Sequence, residues 1–164
     1  MISEMKSDPA HLNALWRARG EGPTLDVLGV LHVYKATADE TGRQFSMWES
    51  IVPPGAGTPP HTHTREDEAF YLLSGELQFE IEGRSDPLLL TAGGFLFGPR
   101  NLRHGYRNAG AVEARLLVLA MPGAGLDRMF ADFAAESERV GGRPSIDALT
   151  AIAAQYGVMI HPPG

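Results

Sequence analysis

Short stretches that alternate apolar and polar residues, separated by frequent glycine and proline, run through the chain from residue 25 to residue 121. Leu77, Phe79 and Ile81 alternate with glutamate and glutamine, which is the period of a half-buried β-strand. Four prolines between residues 53 and 60 interrupt this pattern and predict that no central strand forms there, because proline cannot donate to a sheet ladder. Many short strands with turn residues between them predict an all-β jelly roll.

After residue 121 the periodicity changes from that of strands to that of helices. Apolar residues spaced three or four apart between residues 126 and 134 predict an amphipathic helix. Ser145 is suited to cap a second helix, which Gly157 would terminate. Residues 9–19 are expected to form either a short amphipathic helix or an arm. We therefore predict one domain in three regions: an N-terminal arm (1–24), a β-barrel (25–121) and a C-terminal helical extension packed on the barrel (122–164).

Two histidines, His61 and His63, lie two residues apart on a predicted strand. Alternate residues of a strand face the same side, which allows both imidazoles to reach one point. Glu68 follows a short polar turn and brings a carboxylate back on the next strand, although Glu66 has the same parity. Imidazole nitrogens and a carboxylate oxygen suit a divalent first-row transition metal. The segment therefore predicts a metal site.

Glycine, proline and a further histidine stand at fixed spacings around this pair. The residues concerned are Gly55, His61, His63, Glu68 and Gly75 in one segment, and Gly93, Pro99, His104 and Asn108 in a second. These segments resemble the two cupin motifs, and the chain resembles the single-domain cupins of the quercetin 2,3-dioxygenase-like group. One position departs from the motif, since Asn101 stands where cupins usually have glycine. Asparagine tolerates the left-handed backbone better than other non-glycine residues, and we expect the turn to survive.

The resemblance implies a double-stranded β-helix of the RmlC type with a centre of three histidines and one glutamate. The implied ligands of one divalent transition metal per chain (Fe, Mn, Ni, Co, Cu or Zn) are His61, His63, Glu68 and His104. The chain has no cysteine, which restricts its metal ligands to nitrogen and oxygen. In this group the matching glutamate is also proposed as the catalytic base, and that role falls to Glu68. Taken singly, each of these residues is as compatible with an ordinary surface or core position.

Strand parity with Glu68 and His104 predicts that three candidate substrate-pocket residues point inward: Phe70, Leu72 and Tyr106. Apolar character adds Met47, Phe79 and Phe97 as candidates for the mouth of the pocket. Filling of the barrel interior is the alternative role for each, because small barrels are packed with side chains. Asn108 is expected to hydrogen-bond turn backbone. Three histidines have no partner at ligand spacing and are left out of the site: His11, His32 and His161.

The composition restricts the partners of the chain. A formal net charge of −6 argues against a nucleic-acid partner, since no basic excess is present to neutralise phosphates. Charges throughout residues 1–20 predict neither a secretory signal nor a membrane span, and hence a cytoplasmic protein. The sheet edges that a small jelly roll leaves exposed require covering, which predicts a homodimer.

Three functions are compatible with such a centre. The first is a metal-dependent dioxygenase that cleaves an enolisable or phenolic, flavonol-like small molecule with O2. The second is a non-redox enzyme, an isomerase, epimerase or lyase, that uses the metal as a Lewis acid. The third is a protein that binds a metal or small molecule without turnover. The fold does not discriminate among them, because one scaffold hosts unrelated functions.

Overall fold

The computed structural model describes residues 12–161 as two antiparallel sheets followed by two helices and a short strand. The elements are β1 (Thr24–Val27), β2 (Val30–Ala36), β3 (Ser46–Val52), β4 (Gly57–His63), β5 (Asp67–Ser74), β6 (Glu76–Ile81), β7 (Leu88–Thr91), β8 (Phe95–Gly98), β9 (His104–Arg107), β10 (Ala114–Met121), α1 (Leu126–Val140), α2 (Ile146–Gln155) and β11 (Val158–Ile160). One sheet has the strand order β1-β2-β3-β10-β5-β8, and the other has the order β11-β4-β9-β6-β7.

The hydrophobic core lies between the two sheets. Alternate residues of each strand point inward, and Leu72, Phe79 and Leu116 are fully buried contributions from three different strands. Helical residues such as Leu126 and Leu149 belong to the same core cluster. The prediction of an all-β jelly roll with two C-terminal helices is therefore confirmed.

The turn that carries Asn101 has the predicted backbone. Asn101 has a φ of 67°, in the left-handed region where asparagine replaces glycine at low cost. Its backbone N–H donates to the carbonyl of His63 at 2.7 Å. The substituted turn is therefore tied directly to the strand that carries the two histidines.

The strand β4 forms despite its prolines, which corrects the expectation that no central strand occurs before His61. It lies between β11 and β9, and its pairing with β9 is irregular between Thr58 and His61, where Pro59 and Pro60 fall. A proline removes a donor but keeps its acceptor, and the Pro60 carbonyl accepts from the backbone N–H of His161. A ladder irregularity thus accommodates two residues that a regular strand would exclude.

The C-terminal region contains the two predicted helices and a strand that the sequence did not reveal. Ser145 caps α2 as predicted, because its side chain accepts a hydrogen bond from the backbone N–H of Ala148. The chain then returns as β11, which pairs with β4 so that Val158 lies opposite His63. The described part of the predicted extension, residues 122–161, is therefore not purely helical, since it supplies the edge strand that covers β4. No helix among residues 12–161 is long and apolar enough to cross a membrane.

The N-terminal arm contains no helix over residues 12–18, and the remainder of the predicted helical stretch, residues 9–11, lies outside the described residues. An isolated turn of helix is too short to be stable by itself. The arm is instead held by Arg17, which donates to the Lys35 carbonyl at 2.9 Å and forms an ion pair with Glu40 at 2.6 Å.

Candidate metal centre

Four side chains from three strands converge between the two sheets. His61 and His63 extend from β4, Glu68 from β5 and His104 from the first position of β9. The pairing of β4 with β9 sets His61 directly opposite His104, while Glu68 approaches from the other sheet. Each residue offers one ligand atom, and the four atoms lie within 4.8 Å of one another. The structure thus brings together all four residues expected from the motif spacing.

Backbone carbonyls orient two of the imidazoles. The Nδ1 atom of His61 lies 2.8 Å from the Pro59 carbonyl oxygen, and Nδ1 of His104 lies 3.0 Å from that of Leu102. A carbonyl only accepts, which places a ring hydrogen on Nδ1 of both residues and leaves Nε2 as the nitrogen available to a metal. Metal-binding histidines are commonly fixed in this way. The Nε2 atoms of His104 and His63 lie 2.9 Å and 3.1 Å from Glu68 Oε2.

The charges of the cluster are strongly coupled. Burial raises the pKa of Glu68, but the positive charge of nearby His63 and the hydrogen bond from His104 outweigh it and hold this pKa well below its usual range. Burial likewise lowers the pKa of His63, but the Glu68 and Glu66 carboxylates outweigh it and raise the pKa to about 10. Burial and the neighbouring histidines lower the pKa of His61 to about 3. The metal-free site therefore holds an ionised glutamate beside a protonated His63.

The donor set fits a divalent transition metal. His63 is buried, and neither of its ring nitrogens makes a hydrogen bond of good geometry, although Nε2 lies 3.1 Å from the Glu68 carboxylate. Buried unpaired nitrogens are destabilising, and ligation would satisfy one of them. Three imidazole nitrogens and one carboxylate oxygen are ligands for Fe, Mn, Co, Ni, Cu or Zn rather than for Ca or Mg.

A second carboxylate, Glu66, lies beside the cluster. Its side chain is 1% exposed, and its Oε2 lies 3.6 Å from Nδ1 of His63. One sequence signal indicates this position, because Glu66 has the strand parity of Glu68, whereas its charged neighbours are typical of a solvated turn. A buried carboxylate behind a ligating imidazole orients the ring and increases its basicity.

A cavity of about 180 Å³ opens from the cluster toward the C-terminal helices. Its wall is predominantly apolar, and α1 and α2 contribute much of it through Met129, Phe130, Phe133, Ile146 and Leu149. Two predicted pocket residues, Phe70 and Tyr106, line this cavity. His32 and Trp48 also line it, although the sequence had left His32 out of the site. The helical extension therefore forms part of the pocket as well as covering the core.

The other four predicted pocket residues do not line this cavity. Leu72 and Phe79 share the inward face but are fully buried deeper in the core, where Phe79 packs against Phe70 and Tyr106 at ring separations of 5.2 Å and 5.4 Å. Met47 precedes the cavity-lining Trp48, which turns it to the opposite face of β3. Phe97 lies opposite Ala69 on the outer face and is 48% exposed. Parity predicts the face of a strand, but not the depth at which a residue sits.

Polar residues flanking the motifs have structural partners. Asn108 donates from Nδ2 to the Val52 and Val112 carbonyls, as expected for a residue that satisfies turn backbone. Arg100 forms an ion pair with Asp67 at 2.8 Å.

Metal binding is expected to displace a proton from His63 and to strengthen as the pH rises. With its pKa raised to about 10, this imidazole is protonated at neutral pH, and a ligand must be deprotonated. The apparent affinity for Zn²⁺ should increase by about tenfold per pH unit between roughly pH 7 and pH 9. Competition with a chelator of known pH dependence measures this slope. An affinity that does not change with pH would show that His63 is not displaced.

The central part of the chain matches known proteins. Residues 48–120 match a family model described as a cupin domain. The chain is 33% identical over 73 residues to the polyketide synthase CurC of Streptomyces cyaneus, a match covering 44% of this chain and 46% of that protein. It is 35% identical over 71 residues to the protein SchB of Streptomyces halstedii, covering 43% and 50% respectively. The chain thus spans about half the length of the curated relatives that it matches.

The architecture is similar to that of solved cupin structures. An RmlC-like cupin from Shewanella frigidimarina superposes with a TM-score of 0.57 and 19% sequence identity, covering 67% of this chain and 92% of that one. At this level of identity the similarity concerns the fold. The fold is therefore the cupin jelly roll, or double-stranded β-helix.

Proposed function

We propose that the cupin domain at residues 48–120 houses a metal-dependent dioxygenase that cleaves an enolisable or phenolic small molecule with O2. The observation that carries this proposal is the cluster of His61, His63, Glu68 and His104, whose ligand atoms lie within 4.8 Å and border an apolar cavity. Three imidazoles and one carboxylate leave coordination positions for substrate, as catalytic metal sites do. A bound divalent metal supplies Lewis acidity toward an enol or phenol and a redox couple for O2.

Glu68 is the proposed catalytic base. It is the one acidic residue among the described residues that line the cavity, and its lowered pKa keeps it ionised at neutral pH. An ionised carboxylate beside the substrate oxygen accepts the proton that an enol or phenol must lose. Hydrogen bonding to His104 and the close approach of His63 hold the carboxylate in position. Glu68 therefore has the charge, position and exposure to the cavity that this role requires.

The cavity favours an apolar, ring-containing substrate. Its walls include Trp48, Phe70 and Phe130, which offer aromatic faces and exclude water. A volume of 180 Å³ is slightly larger than the roughly 150 Å³ cavity that is known to bind benzene. One substituted aromatic ring fits this space, whereas a three-ring flavonol requires α1 or α2 to move. The relative named as a polyketide synthase is consistent with this class, because polyketides are built from enolisable 1,3-dicarbonyl units.

The proposal is tested by metal content and O2 uptake. The purified protein is loaded with Fe(II), Mn(II), Co(II) or Ni(II) and offered 1,3-diketones, single-ring phenols and flavonols. We expect one metal per chain and O2 consumption that depends on substrate, with the smaller molecules as the better substrates. Stoichiometric metal without O2 uptake by any of them would contradict the dioxygenase and favour Lewis-acid catalysis or binding without turnover.

We further propose that the chain forms a homodimer through the outer face of its six-stranded sheet. Tyr71 and Leu73 on β5 adjoin Phe95 and Phe97 on β8, and all four are well exposed on neighbouring strands. A contiguous apolar patch on a sheet edge is typical of an isologous contact.

The substitution Phe97→Glu is expected to convert this dimer into a monomer, because it places a charge in the centre of an apolar contact. Light scattering after size exclusion measures the mass. The matched control is Leu89→Glu, which adds the same charge at an exposed position on β7 of the other sheet. A wild-type mass equal to one chain would contradict the dimer.

A further inference from the structure

His32 occupies a distinct position in the cavity wall. It lies on β2, while Glu68 lies on β5, three strands away in the same sheet. Both residues point to the interior and both line the cavity. The space between the two side chains is therefore bounded by a carboxylate at one end and an imidazole at the other.

The ring of His32 is held rigidly by aromatic neighbours. It stacks on Trp48 with a centroid separation of 5.7 Å and an interplanar angle of 29°, and Phe130 contacts it edge-on at 4.7 Å. The residue is 5% exposed. A phenylalanine would fill the same place without burying a polar atom. Packing alone therefore does not account for an imidazole here.

The Nδ1 atom of His32 is buried and has no hydrogen-bond partner. Outside the metal cluster, Trp48 and Thr58 of the wall do have partners: Trp48 Nε1 donates to Ser50 Oγ, and Thr58 Oγ1 accepts from the Tyr106 N–H. An unpaired buried nitrogen is destabilising unless a bound molecule completes it. Burial lowers the pKa of His32 to about 3, and the neutral ring keeps one donor and one acceptor.

We propose that His32 is the distal substrate-binding residue and selects ligands that carry a hydroxyl or carbonyl group on the ring end remote from the metal-binding oxygens. This inference rests on the proposed function, which assigns an enol or phenol oxygen to the end of the substrate at the metal. It adds the chemistry of the substrate end that contacts His32. The selected class is a single-ring aromatic 1,3-dicarbonyl or phenol with a second polar group para to the first. The aromatic faces of Trp48 and Phe130 contact the ring between the two polar ends.

Two ligands that differ by one hydroxyl test the assignment. They are 1-phenylbutane-1,3-dione and 1-(4-hydroxyphenyl)butane-1,3-dione, titrated into zinc-loaded protein under anaerobic conditions so that no turnover occurs. The chain has two tryptophans, and a Trp16→Phe background leaves the cavity-lining Trp48 as the fluorescent reporter. Protein with wild-type His32 is expected to bind the hydroxylated ligand about three- to tenfold more tightly than the unsubstituted one, because this ratio corresponds to the free energy of one neutral hydrogen bond.

The His32→Phe variant separates this role from packing. It keeps the stacked ring, and we expect it to bind both ligands equally, with the affinity for the unsubstituted ligand within about twofold of wild type. The His32→Gln variant, which keeps a donor and an acceptor, is expected to retain a preference for the hydroxylated ligand.

Each other outcome is decisive. Equal affinities in the wild-type protein, or a preference that persists in His32→Phe, would overturn the role of His32 and leave the metal centre intact. Failure of either ligand to bind zinc-loaded protein would overturn the proposed substrate class and this inference together. The wild-type comparison requires no variant, which keeps the test valid if His32→Phe does not fold.

Discussion

The Glu68→Gln variant is expected to lose its metal and its turnover together, with the metal dissociation constant rising by at least about a hundredfold. Changes to residues that merely support a ligand typically weaken binding 10- to 100-fold, and loss of a ligand should exceed this. Glutamine keeps the shape of the side chain but removes its charge. In the wild-type protein this carboxylate lies 2.9 Å from Nε2 of His104 and 3.1 Å from Nε2 of His63. Its negative charge would offset the positive charge of a cation bound among these residues. Metal content by mass spectrometry and O2 uptake measure the two losses.

The control for this substitution is Glu80→Gln, the same change at an exposed position on β6. This variant should bind metal like wild type, which separates the role of Glu68 from loss of a negative charge in general. The His61→Ala variant removes a ligand on the other sheet and should reproduce the loss of metal and turnover expected for Glu68→Gln. Full metal content and turnover in both His61→Ala and Glu68→Gln would show that the cluster is not the site.

The parts of the molecule that the sequence predicted well depend on short-range signals. The metal cluster was predicted from the spacing of residues within the two motifs, which places the histidines and the glutamate on β4, β5 and β9. Asn101 has the expected left-handed backbone because that preference belongs to the residue itself. Ser145 caps α2 because a serine at that position satisfies the first turn locally. For the Asn101 turn and the Ser145 cap, the deciding interaction lies within a few residues along the chain. The metal cluster joins residues as far apart as Glu68 and His104, and it was predicted because two motifs of fixed spacing carry its ligands.

The parts that the sequence did not reveal depend on contacts between distant segments. The strand β11 has three residues and forms because β4 offers it a free edge, which no local pattern indicates. His32 enters the cavity wall because α1 places Phe130 against it, almost a hundred residues later in the chain. Glu66 is buried because His63 attracts its charge. The places of β11, His32 and Glu66 can be assigned only once the residues that contact them in the folded chain are known.

Phe79 points into the barrel but lies in its core and does not line the cavity. Its replacement should therefore have the largest effect on stability. The Phe79→Ala variant is expected to lower the free energy of unfolding by about 3–5 kcal/mol, the usual cost of removing a buried aromatic side chain. Its side chain is 0% exposed and packs against Phe70 and Tyr106, and the cavity left behind would be closed to solvent. Such a loss is a large part of a typical total of 5–15 kcal/mol. Urea unfolding followed by circular dichroism measures it.

The matched substitution is Phe130→Ala, which removes the same side chain from a half-buried position in the cavity wall. Because solvent or ligand can occupy the space it leaves, we expect it to lower the free energy of unfolding by less than half as much as Phe79→Ala. Its main effect should be on ligand affinity, since it removes one of the aromatic faces that contact the ring and the edge-on support of His32. Phe79→Ala protein that remains folded at low temperature should instead bind the two diketones with nearly wild-type affinity. The opposite pattern, with affinity lost in Phe79→Ala and stability lost in Phe130→Ala, would mean that the pocket extends into the barrel core and not toward the C-terminal helices.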